Sequence, residues 1–158
     1  MRKSKNDFYN TKNNRTIYVL LSPTNKIFYI NQCLKTSVNE TYRHNIKGRR
    51  ASSKKFIDEI SPQRPCIFIL ENAYLTKSEA YIFMLIWIKI FLENGYACFN
   101  SKKIIDQAIN LNNANKQLYD NRKQLNLNSI ISCNKCFIPI YKNIVCEKSN
   151  LFYDEMDN

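Results

Sequence analysis

Two short runs of β-branched and aromatic residues, Thr16-Ile-Tyr-Val-Leu-Leu21 and Lys26-Ile-Phe-Tyr-Ile30, flank the segment Ser22-Pro-Thr-Asn25. Such runs suit a pleated, half-buried surface, and the Ser-Pro-Thr-Asn segment has turn chemistry, so the pattern predicts a β-hairpin. Thr36 to Lys47 carries Val38, Tyr42 and Ile46 on one helical stripe. A basic loop is expected next, from Lys47 to Lys55. Pro65-Cys-Ile-Phe-Ile-Leu70 reads as a third strand, fully apolar and therefore placed at the centre of the sheet. Thr76 or Ser78 can cap the next helix, with Glu79 in its first turn, and Gly95 stops it. The order predicts an α+β fold, a small mixed three-stranded sheet flanked by helices.

Beyond Asn100 the character changes. Ile104, Leu111, Leu118 and Leu125 recur at seven-residue intervals after Ser101, with Ala108 between the first two. This is one narrow apolar seam on an otherwise polar helix, which either packs back on the domain or forms a homodimer through residues 104–125. The expected organisation is a flexible basic arm (1–14), a domain (15–100), a helical extension (101–128) and a cysteine-bearing tail (129–158), with residues 147–158 disordered.

A formal charge of +11 on 158 residues predicts attraction to polyanions, with nucleic acid first, acidic protein surfaces second and anionic membrane third. An AT-rich genome would also enrich lysine and asparagine without any selected partner. The basic start is followed by no apolar segment of the secretory kind. The apolar run Ala80–Leu92 is shorter than the roughly 20 residues that span a bilayer. The chain is expected in the cytoplasm or nucleus, away from membranes, with its six cysteines reduced or bound to metal. With glycine only at Gly48 and Gly95, no Gly-rich phosphate loop can form.

Thr16-Ile17-Tyr18, ten residues, then Tyr29-Ile30-Asn31 resembles the GIY…YIG signature of the GIY-YIG nuclease family. Ser78-Glu79-Ala80 through Ile86-Trp87-Ile88-Lys89, then Gly95-Tyr96 and Asn100, is similar to that family's last helix and closing asparagine. The resemblance implies a site where a metal ion, two tyrosines and an arginine act on a phosphodiester. It also implies that the metal hangs on one glutamate of the last helix. That position is Met84, whose thioether is a poor ligand for a hard cation. Glu79 sits about 140° around the helix and cannot replace it. The family's arginine position falls at Asn39-Glu40, with Arg43 one turn further on. Tyr18, Tyr29 and Asn100 survive. The resemblance therefore implies a catalytically degraded nuclease-like protein that binds nucleic acid. Its rivals are a virus- or mobile-element-encoded module that inhibits a host enzyme, and a nuclease rewired around Glu40, Arg43 and Tyr18.

The residues expected to contact phosphates are Arg43, His44, Lys47, Arg49, Arg50, Lys54 and Lys55, the densest basic segment of the chain. No cofactor is expected in the domain. Cys133-Asn-Lys-Cys136 with Cys146 offers three thiolates toward a structural zinc, which needs a fourth ligand. Ordinary reduced thiols are the alternative there, and Cys33, Cys66 and Cys98 read as small buried hydrophobes.

Overall fold

β1 (Asn13–Leu21) and β2 (Ile27–Leu34) pair antiparallel across the turn. Within that turn Ser22 Oγ accepts from the main-chain N–H groups of Thr24 and Asn25, at 3.3 and 3.1 Å. The computed structural model of the chain describes residues 9–47, 50–125 and 127. β3 (Cys66–Leu75) lies antiparallel on the far side of β1, and β4 (Ala97–Cys98) lies parallel to β2. The architecture is α+β with a mixed sheet, of four strands in the order β3-β1-β2-β4. The expected three strands thus become four, because two residues past Gly95 (φ +84°) join the edge of β2. The expected central place of the third strand is also wrong: β3 is an edge, and β1 is flanked on both sides. The first half of β3, Cys66 to Leu70, is apolar because both its faces are covered. Ile67 and Ile69 belong to one core and Phe68 and Leu70 to the other.

One face of the sheet is covered by α1 (Val38–Ile46) and α2 (Ala51–Ile60). They enclose Tyr18, Leu20, Tyr29, Tyr42, Phe56 and Ile60. The other face is covered by α3 (Lys77–Glu93), over Ile17, Val19, Phe28 and Ile30. Its start is fixed by a capping box. Thr76 Oγ1 accepts from Glu79 N at 3.1 Å, and Glu79 Oε2 accepts from Thr76 N at 2.8 Å. Of the segment expected as a basic loop, residues 51–55 are instead the opening of α2, so Lys54 and Lys55 stand on a helix.

The seam after Ser101 does not run along one helix. α4 (Lys102–Ile109) and α5 (Lys116–Lys123) are separated by a turn rich in asparagine. There Asn110 Nδ2 donates to Asp106 O at 2.9 Å, and Asn112 Oδ1 accepts from Ala114 N at 3.4 Å. Such local bonds compete with helix continuation. Ile104, Leu111 and Leu118 pack back on the core, Ala108 is buried, and Leu125 lies beyond α5 and half exposed. A straight seam along one helix is therefore not formed.

A β-bulge on β3 decides which side chains meet α3. Ile17 pairs with Glu71 while Tyr18 pairs with Ile69, which leaves Leu70 as the extra residue. Leu70 and Glu71 both turn toward α3, and the alternation resumes out of step, so Ala73 and Leu75 reach the same core. Glu71 then accepts from Trp87 Nε1 at 2.6 Å and from Arg122 Nε and Nη2, each at 2.7 Å. The Arg122 guanidinium lies 4.2 Å from the centre of the Phe83 ring. This clasp fastens α5 to the sheet. Strand pairing also begins at Asn13, so Asn13 and Asn14 belong to β1 and not to an arm.

Candidate nucleic-acid interface

The two tyrosines point to the same face of the sheet because Tyr29 on β2 pairs with Leu20, two residues along β1 from Tyr18. Both are almost fully buried, and their hydroxyls tie α1 and α2 to the sheet. Asn45 Nδ2 donates to Tyr18 Oη at 3.1 Å, and Asn45 Oδ1 accepts from Ser53 Oγ at 2.5 Å. Tyr29 Oη donates to Ser52 Oγ at 2.9 Å and accepts from Asn31 Nδ2 at 2.8 Å. Burial first, and then the neighbouring Tyr29 hydroxyl, push Tyr18 well above the ordinary phenol range. Burial likewise raises Tyr29, against the lowering effect of its bonds to Ser52 and Asn31. Both therefore stay protonated near neutral pH, when a base that activates water must be free to take a proton.

Asn100 replaces a peptide unit. Its Oδ1 accepts from Ile30 N at 3.0 Å and its Nδ2 donates to Ile30 O at 2.7 Å. The carboxamide thereby continues the β4 ladder by one step along β2, next to Tyr29 and Asn31.

Arg50 is the cation that joins the tyrosines. Its charge opposes the effect of burial at Tyr18, Tyr29 and Cys33, where the thiol is pushed up to about 11. Arg50 Nη2 makes only a long bond, 3.4 Å, to Thr41 Oγ1, and Nε is buried with no partner. Among the described residues no carboxylate pairs with it. Arg50 is also the residue at the start of α2, whose positive end adds to the field there.

The other expected contacts divide. Arg43 and His44 lie on α1, where His44 Nε2 is 3.8 Å from Glu40 Oε1. Lys47 is exposed just past that helix. Lys54 pairs with Asp58 at 2.7 Å, and Lys55 Nζ lies 5.8 Å from the centre of the Phe99 ring. Arg49 lies outside the described residues, as do Cys133, Cys136 and Cys146. Among the described residues no three His, Cys, Asp or Glu side chains gather to hold a metal. Cys33, Cys66 and Cys98 are partly buried free thiols. Glu40 and Tyr18 do not meet: Glu40 turns outward to His44 while Tyr18 is sealed under Asn45. Met84 is 2% exposed, inside the apolar core beneath α3. Among the described residues no helix is long and apolar enough to cross a membrane.

The sequence points to Arg43 as the displaced arginine, whereas the fold sets Arg50 beside the tyrosines. The signal for it is Arg50-Ala-Ser-Ser, a helix start that places an arginine and Ser52 beside the second tyrosine. No protein-family model matches the chain, and neither a curated protein nor a solved structure resembles it significantly.

Proposed function

We propose that this protein is a GIY-YIG-like domain that has lost its metal carboxylate and binds nucleic acid without cutting it, through the surface formed by α1 and α2. The observation that carries this reading is Arg50. A half-buried guanidinium without a carboxylate is costly to hold, and a phosphate supplies the missing charge with bidentate geometry. Ser52, the positive end of α2, and the exposed Lys47 and Lys55 widen that single contact into a surface suited to a sugar–phosphate backbone. The net charge of +11 supplies long-range attraction. Met84 in the core and two protonated tyrosines speak against metal-dependent cleavage.

The test is fluorescence anisotropy with labelled duplex and single-stranded oligonucleotides across roughly 50 to 300 mM salt. Changing Arg49, Arg50, Lys54 and Lys55 together to glutamine should flatten the duplex plot of log affinity against log salt by roughly 0.9 for each phosphate no longer neutralised. Lys54, already paired with Asp58, should contribute least. An unchanged slope would place the binding surface elsewhere, and no measurable binding would refute the reading.

A further inference from the structure

Across the sheet from α1 and α2, a second arginine has no counter-ion among the described residues. Arg15 on β1 is only 5% exposed. Its Nη1 donates to Gln32 Oε1 at 2.9 Å, and its Nε is buried with no partner. Among the described residues no Asp or Glu pairs with it. A guanidinium withdrawn this far from water normally has a carboxylate beside it, because an uncompensated buried charge is strongly unfavourable.

Gln32 connects that charge to a cleft. Its Oε1 is taken by Arg15, so its Nε2 donors are left for other partners. Gln32 lines a cleft of about 340 Å³ with Tyr9, Lys77, Ser78, Tyr81 and Ile82. Ser78 lies in the first turn of the 17-residue helix α3, where the main-chain N–H has no acceptor within the helix. Glu79, the acid of the same turn, is folded onto Thr76 N to complete the capping box. The cleft therefore gathers an amide donor backed by Arg15, an ammonium, a hydroxyl and a helix N-terminus. Tyr9, with Lys77 Nζ 4.9 Å from its ring centre, and Tyr81, whose hydroxyl donates to Gln107 Oε1, supply aromatic surface.

We propose that this cleft binds a nucleotide, with its phosphate held by Gln32, Ser78 and Lys77 under the field of Arg15 and its base lying against Tyr9 or Tyr81. Donors alone would suit any small anion. The aromatic surface and a volume near the lower end of small-ligand pockets select an anion that carries a flat ring. The site is independent of the α1–α2 surface and survives if that surface binds nothing.

The test uses the full chain and thermal unfolding in the presence of adenosine 5′-monophosphate, adenosine or inorganic phosphate. Adenosine 5′-monophosphate at about ten times its dissociation constant should raise Tm by about 3–5 °C, more than either fragment. Gln32→Glu is the decisive variant. It puts a carboxylate of nearly the same shape against Arg15, so the protein should fold at least as stably as the wild type. It should lose the nucleotide-dependent rise and at least tenfold in affinity. Arg50→Gln, on the opposite face, should keep the rise. No rise in the wild type, or an equal rise in Gln32→Glu, would overturn the proposal. A rise reproduced in full by inorganic phosphate would overturn the assignment of a nucleotide.

Discussion

Removing the charge of Glu71 is expected to loosen the carboxyl-terminal helices from the sheet and to show that loosening in the one tryptophan of the chain. Glu71 accepts three bonds at 2.6–2.7 Å, and its side chain and that of Arg122 are 19% and 14% exposed. Breaking a hydrogen-bonded pair this sheltered, by removing one partner, costs about 3–5 kcal/mol. Glu71→Gln keeps a carbonyl for Trp87 Nε1 but leaves Arg122 uncompensated, so about 2–3 kcal/mol is expected. Arg122→Met should cost a similar amount, since it also removes the stacking over Phe83 and the bond to Leu118 O at 3.0 Å. The double variant buries no unmatched charge and should be better than the sum of the single losses by about 2 kcal/mol. Urea unfolding followed by Trp87 fluorescence measures all three, and Glu71→Gln should shift the native emission because it changes the indole's own partner. Raising the salt should change the coupling little, because screening acts weakly on sheltered pairs. A coupling below about 0.5 kcal/mol, within the range of independent sites, would refute the clasp as a unit.

Met84→Glu should not restore Mg²⁺-dependent nicking and should cost about 3 kcal/mol or more, because it forces a carboxyl into an apolar core. Met84→Leu should stay within about 1.5 kcal/mol, and denaturant titration of both variants checks this. Alkaline pH should unfold the protein early. Burial pushes Cys33 and Cys98 up to about 11 and raises Tyr18 and Tyr29, so the folded state resists ionisation that the unfolded chain accepts. That contribution is fully present below about pH 8.5, the ordinary thiol value, and is lost as pH rises through about 11. A Tm that is flat from about pH 8 to 11 would contradict it.

The parts of the fold that were legible in the sequence are those written in short, local patterns. The hairpin, the stripe of α1, the cap at Thr76 and Glu79 and the stop at Gly95 each depend on residues a few positions apart. α2 was hidden because its first turns are Ala51-Ser-Ser-Lys-Lys55, and its apolar residues, Phe56, Ile57 and Ile60, crowd into the second half. Two-residue β4 carries no periodicity at all. The edge place of β3 depends on pairing with a strand some fifty residues away, and an apolar run reports only that both faces are covered. The candidate site was legible as a set of residue types and not as an arrangement. The tyrosines and Asn100 stood out, yet the cation that faces the tyrosines is set by where α2 begins. Arg15 looks like the polar edge of a strand, and only the fold reveals that it is enclosed.

The pair of bonds from Asn100 to Ile30 changes what the β2 edge offers to another strand. β2 would otherwise present those main-chain groups along an open border, the template on which a strand from another molecule adds. β4 is too short to screen them, reaching only Ile27 and Phe28. The Asn100 carboxamide occupies both groups with a side chain that cannot itself be extended by a further strand. The Asn100 carboxamide thus closes to an incoming strand the stretch of β2 that β4 leaves uncovered.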